Sequence, residues 1–304
     1  MQLFTRPQIG RLLLTLWVAA FGAVVATPAA FAKPVSVIAA ESSYGSMVKM
    51  VGGDHVDVSS LLDSPDVDPH KFKSSPKIGR QLSQADLVVM NGQGFDGWLD
   101  PLLEGSKASD RRVVKASEAG SAMVMPDDNA HLFYSPQAML ATASHVATAL
   151  AEIDPDHKSA YQDGLAQFRE QLLPVYEHIQ KLIASHPNLT VTATVPVYNY
   201  MLNLLGYNVL YHDIQFASMH GSRPSAKQVK KFISGLKNHK VSLLIYNVQV
   251  HSRLTKNQVQ TAKDNGVPVV GVSAIPLHGE NYAEWQIEQL KAIEKALEKA
   301  DNAA

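Results

Sequence analysis

Apolar and polar positions along the chain fall into short β-type blocks, each followed by a stretch of helical spacing. Residues 35–39 alternate and are β-rich, 42–51 read as a short helix stopped by Gly52-Gly53, and 56–62 form a second strand. A helix over 75–85 follows the start signal Ser74-Ser75-Pro76. Residues 86–91 read as a buried strand, 95–103 as a short helix, 112–115 as a strand and 136–153 as a helix. The later part repeats this style, with strands at 190–194, 207–211, 241–247 and 267–272. Helices are expected there at 196–205, 225–236, 255–265 and 280–300, and a loop at 212–224. Strands alternating with helices predict an α/β fold with mainly parallel sheets.

Between the two parts lies the longest helical pattern, residues 156–185. Tyr161, Leu165, Phe168, Leu172, Val175, Ile179 and Leu182 step by four and three and form one apolar stripe. Pro174 lies inside it and is expected to kink it. At ~1.5 Å per residue the pattern is long enough to run the length of a two-lobed molecule. The expected division is an N-terminal lobe over 33–155, a linking helix over 156–186 and a C-terminal lobe over 187–304.

Residues 1–32 read as a secretory signal. Arg6 and Arg11 supply the positive region, 12–25 are apolar, and Ala30-Phe31-Ala32 is a small-x-small cleavage site ahead of Lys33. Its removal takes away two arginines and no acid, moving the formal net charge from −1 to −3. That is no footprint for nucleic acid or anionic lipid. The chain has 12 histidines and no cysteine, so neither a disulfide framework nor a lipid-modifiable cysteine is available. The expectation is a monomer free in the periplasm, without stable insertion of the mature chain in a membrane.

Two loops carry candidate chemistry. Ser64-Pro65-Asp66-Val67-Asp68-Pro69-His70-Lys71-Phe72 holds His70 on a proline-stiffened support. Asp127-Asp128-Asn129-Ala130-His131 places His131 just before an aromatic pair and the helix start Ser135-Pro136. Both loops follow strands of the first part, and in parallel sheets ligands bind beyond the carboxyl ends of strands. Gly92-Gln93-Gly94-Phe95-Asp96-Gly97 matches the dinucleotide fingerprint, with Glu118 downstream. The match comes on the third strand, and an exported protein has little access to a nicotinamide cofactor, so it reads as a tight strand-to-helix turn.

The chain resembles the metal-binding solute-binding proteins of zinc and manganese ABC importers. The resemblance rests on Asp68-Pro69-His70 with Ser75-Pro76, on Ala85-Asp86-Leu87-Val88-Val89, on Asn91-Gly92 through Trp98-Leu99-Asp100, and on His131 with Ser135-Pro136. It continues through residues 191–205, Gly266-Val267-Pro268-Val269-Val270-Gly271-Val272, and Tyr282 through Trp285 to Gln289-Leu290. The resemblance implies two α/β lobes joined by one long rigid helix, with metal in the interlobe cleft and an ABC permease in the inner membrane as partner. It also implies that His70 and His131 are metal ligands.

The family's other two ligand positions fall on Val195 and near Ala274 or Ile275, whose aliphatic side chains cannot bind metal. Zinc takes four ligands of N, S or O. A nitrogen-rich remainder without carboxylates favours Zn, with Cu or Ni possible, over Mn, Ca or Mg. Replacement ligands could come from His220, His278 or His251, each in a loop expected after a second-lobe strand. The first functional expectation is capture of a divalent transition metal, zinc foremost, for an importer. The alternative is a degenerate site that binds a metal chelate or small organic ligand, or serves as a partner or regulator. An exported metalloenzyme is disfavoured: there is no G-x-S-x-G, no H-E-x-x-H and no acid/base pair near either histidine.

Overall fold

Period-2 burial builds both sheets. The computed structural model describes Gln2, residues 33–64, Val67, Phe72, residues 74–106, Ala108, and residues 110–219, 221–276 and 279–303. Residues 34–304 form one compact unit. The expected signal segment lies outside the described residues apart from Gln2.

The first sheet contains β1 (Val35–Glu41), β2 (Val56–Leu62), β3 (Leu87–Met90) and β4 (Arg112–Lys115), all parallel, in the order β2-β1-β3-β4. The second contains β5 (Thr190–Ala193), β6 (Asn208–Leu210), β7 (Leu243–Asn247) and β8 (Val269–Val272), also parallel, in the matching order β6-β5-β7-β8. On β3, Leu87 and Val89 point to the large shared core, while Val88 and Met90 point to a smaller cluster with Ile78, Leu82 and Leu99. On β7, Leu243 and Ile245 join the shared core, and Leu244 joins a second small cluster with Phe232 and Ala262. Strands buried on both faces explain the near-continuous apolar runs of the sequence.

Helices cover these faces. In the first half they are α1 (Ser42–Gly52), α2 (Pro76–Leu82), α3 (Asp100–Gly105), α4 (Ala116–Ala119) and α5 (Pro136–Ile153). In the second they are α8 (Asn199–Leu204), α9 (His212–Met219), α10 (Ala226–Lys237), α11 (Arg253–Asp264) and α12 (Tyr282–Asp301). Between the halves run α6 (Lys158–Gln171) and α7 (Leu173–Ser185), so the long helical span bends at Leu172. Pro174 has no N–H to donate, and its ring displaces the carbonyl four residues earlier. α6 packs against α1 and α5, and α7 against α12. Tyr161, Phe168, Leu172, Val175, Ile179 and Leu182 of the apolar stripe are all buried.

Aromatic packing and hydrogen bonds close the two halves on each other. Tyr134 meets Tyr198 edge-on at 4.6 Å and Trp285 at 5.2 Å. The Tyr134 hydroxyl donates to the Ser273 carbonyl, and the Tyr282 hydroxyl to that of Phe133 at 2.8 Å. Two local expectations need correction. The helix expected over 95–103 begins only at Asp100, because residues 92–99 are taken up by turns. The loop expected over 212–224 contains α9, whose weak signal comes from burying only Ile214 and Gln215. No described helix is long and apolar enough to cross a membrane.

Gly164 sits where α6 crosses α1. A Cβ built there would lie 2.2 Å from the Val51 carbonyl oxygen, a backbone atom that cannot rotate away. Gly164→Ala is therefore expected to destabilise the fold by about 1–3 kcal/mol, despite the better helix propensity of alanine. Chemical denaturation measures this, and an unchanged or raised midpoint would contradict the close crossing.

Candidate functional site

The strand order reverses direction between β1 and β3 and again between β5 and β7, which opens a crevice at the carboxyl edge of each sheet. A cleft of about 1400 Å³ lies there. Gln93 and Gly94 after β3, Val195 after β5, and Asn247 and Val250 at the end of β7 line it together with His131.

His131 precedes the 3-10 turn Leu132–Tyr134 and is 1% exposed. The Asn129 side chain fixes its ring. Asn129 Oδ1 accepts the His131 backbone N–H at 3.1 Å and faces His131 Nδ1 at 2.8 Å. A backbone N–H can only donate, so this face of the amide is its oxygen. Nδ1 must then carry the proton, and the lone pair sits on Nε2. This is the tautomer a metal takes up, with the second ring nitrogen held by a neighbour. Phe95 and Phe133 pack edge-on against the ring, with centroids at 5.5 and 5.8 Å.

The loop that carries His131 is tied to the second half. Asn129 Nδ2 donates to the Pro196 carbonyl at 2.8 Å. The Tyr200 hydroxyl donates to the Asn129 carbonyl at 2.8 Å and accepts the Met125 N–H at 3.1 Å. From the first half, Asn91 Nδ2 donates to the Ala130 carbonyl at 2.7 Å, and the Tyr44 hydroxyl donates to Asn91 Oδ1 at 2.6 Å.

The glycine-rich turn after β3 is closed by its own acid. Gly92 has φ +75°, and a Cβ there would strike Ser117 Oγ at 2.2 Å. Asp96 accepts the N–H groups of Asn91 at 2.6 Å and Gly92 at 2.9 Å. Burial pushes the Asp96 carboxyl up to about 6. Glu41, at the carboxyl end of β1, is wholly buried, and neither of its oxygens has a hydrogen-bond partner among the described residues. Burial, and then the nearby Asp96 charge, raise its pKa well above the carboxylate range.

Of the sequence candidates, His70, His220 and His278 lie outside the described residues. His251 is exposed and does not line the cleft, although its neighbours Val250 and Ser252 do. Val195 is a wall of the cleft, and Ala274 and Ile275 are buried in the fold. Among the described residues no three His, Cys, Asp or Glu side chains are grouped to hold a metal. Gln249 was not anticipated. It accepts the Ala274 N–H at 2.8 Å and donates to the Val67 carbonyl at 3.1 Å, joining the second half to the loop of His70. Asn129 could have been found from its Asn-x-His spacing, since a short amide reaches the backbone two residues on. Glu41 could have been found as the lone acid closing an apolar strand.

A protein-family profile described as "ZnuA: Zinc-uptake complex component A periplasmic" matches residues 37–296. The chain is 22% identical over 250 residues to the manganese ABC transporter substrate-binding lipoprotein scaA of Streptococcus gordonii, covering 77% of this chain and 78% of that one. Two solved structures share the fold. The solute-binding protein FpvC of P. aeruginosa, solved with Ni²⁺, has a TM-score of 0.74 and 21% identity over 88% of this chain and 98% of its own. The periplasmic zinc-binding protein TroA of Treponema pallidum has a TM-score of 0.74 and 17% identity over 88% and 99%.

The buried acids set a pH dependence. A raised carboxyl pKa means the folded state holds its proton more tightly than the unfolded state. The associated stability is present at low pH and is lost as pH rises through the folded pKa. For Asp96 the window runs from 3.8 to about 6, and for Glu41 it begins at 4.5 and extends higher. Each group contributes about a tenfold fall in the folding equilibrium per pH unit inside its window. Glu41→Gln is expected to flatten the fall in stability as pH rises above 4.5 and to melt above the wild type at the upper end of that rise. Parallel melting curves across that range would show that Glu41 does not titrate this way.

Proposed function

The chain belongs to the family of periplasmic zinc-uptake component A, the substrate-binding components of metal ABC importers, and on that footing we propose that it captures a divalent transition metal, zinc foremost, in the periplasm. It hands that metal to an ABC permease in the inner membrane and acts as a monomer. The lobes over 33–155 and 187–304 flank the cleft, and 156–186 link them.

The observation that carries this reading is His131, buried at the cleft wall with its Nδ1 proton held by Asn129. His70, on the proline-stiffened loop, supplies the second imidazole. Two neutral nitrogen donors and no carboxylate ligand suit Zn, with Cu and Ni next, better than the oxygen-seeking Mn, Mg or Ca. Capture needs no bond-making beyond coordination. The metal displaces protons, so retention weakens as pH falls below about 6.5, the ordinary imidazole value.

Equilibrium dialysis against Zn, Cu, Ni, Co and Mn tests it. One metal is expected to be retained stoichiometrically, with zinc bound more tightly than manganese. His70→Ala and His131→Ala should each weaken binding at least ~tenfold, and Asn129→Ala by ~10-fold or more through loss of the ring's support. Zinc binding unchanged in both histidine variants would place the site elsewhere.

A further inference from the structure

The cleft is built for more than a bare ion. A coordinated divalent ion needs only the space between its donors, whereas pockets for small organic ligands run to about 300–1000 Å³. This open cleft spans about 1400 Å³. Much of its wall is apolar side chain from the second half, including Val195, Val229, Ile233 and Leu254. Onto this apolar surface the same half sets Arg223, Lys230 and Arg253, while Asp128 is the one carboxylate among the described lining residues. None of the three cations forms an ion pair with a described residue. Ala226 and Arg253 begin α10 and α11, so the amino ends of two helices add positive partial charge to the same wall.

That electrostatic setting weakens the binding of a naked cation relative to an anionic form of it. A divalent metal on uncharged imidazole keeps its full charge, and the exposed lysine and arginines of the same cleft repel it by a solvent-screened amount. Of the buried acids in the first half, Glu41 is held towards its neutral form, while Asp96 faces two backbone amides rather than the cleft lining. With Asp128 the one described carboxylate of the lining against three cations, an anionic form of the metal is favoured over the bare ion. We infer that the cleft takes its metal as an anionic polycarboxylate chelate, with the metal on His131 and the chelator's carboxylates on Arg223, Lys230 and Arg253. The inference rests on the metal-capture reading above and specifies the form of the cargo.

Isothermal titration with three zinc forms tests it. The probes are zinc nitrilotriacetate, with one net negative charge, the uncharged zinc iminodiacetate complex, and Zn²⁺ in a non-coordinating buffer. The proteins are the wild type, His131→Ala, and the triple variant Arg223→Gln, Lys230→Gln, Arg253→Gln. The wild type is expected to bind the anionic complex at least ~tenfold more tightly than the uncharged one, a gap that narrows at high salt because exposed charges are screened. The triple variant should lose that ~tenfold advantage, each exposed pair being worth only a few-fold. It should keep its affinity for the uncharged complex, which also shows that it is folded. His131→Ala should lose all three zinc forms. If free zinc binds in a His131-dependent way but the triple variant takes zinc nitrilotriacetate as well as the wild type does, the chelate inference is overturned and the metal-capture reading stands. If no zinc form depends on His131, the reading fails and the inference with it.

Discussion

The side-chain amide of Asn129 is the contact on which the site depends. Its oxygen receives two donors from His131, and its nitrogen reaches the Pro196 carbonyl at the carboxyl end of β5. One planar group thus fixes the imidazole's tautomer, its orientation and its distance from the second sheet. An amide suits this task because its donor and acceptor are held in one plane. A carboxylate there could accept from the ring but could not donate to Pro196. A hydroxyl could not span both partners.

The amide holds its position because the protein around it has little freedom. The Asn129 carbonyl accepts from Tyr200, and the next carbonyl, that of Ala130, accepts from Asn91. Asn91 is in turn held by Tyr44 and by the Asp96 carboxylate. Each link is buried, where an unmade hydrogen bond costs about 1–3 kcal/mol, so the chain tends to be complete or absent as a unit. Behind it runs one apolar core, from Leu87 and Val89 of the first sheet through Phe133, Tyr134 and Trp285 to Leu243 and Ile245 of the second. Loops at the carboxyl edges of both sheets therefore meet across the cleft with their backbones already satisfied. Movement of one half against the other would strain the Asn129–Pro196 and Gln249–Val67 bonds.

Most of the architecture was legible in the chain, because burial on alternate faces and the four-three stripe of residues 161–182 are local signals. The eight strands and the bend ahead of Pro174 follow from them. What escaped depends on partners far along the sequence. α9 buries too little to mark itself, and Asn129 gains its meaning from Pro196, 67 residues away. Gln249 acts on Val67, 182 residues away. Arg223, Lys230 and Arg253 are ordinary polar positions in sequence, and only the fold brings them to one wall.

That wall gives meaning to the two aliphatic positions. Val195 and Ala274 read in isolation as lost ligands, a site decaying towards no function. In the fold, Val195 lines the same cleft as Val229 and Ile233, and Ala274 donates its N–H to Gln249 and is not part of the lining. A site that had merely lost its carboxylates would have no need to gather cations as well. Here the missing negative charge and the added positive charge lie in the same cavity and act in the same direction. Both disfavour a bare ion and favour a ligand that brings its own oxygens. The apolar surface between the cations suits the carbon frame of such a ligand, which a hydrated ion does not have.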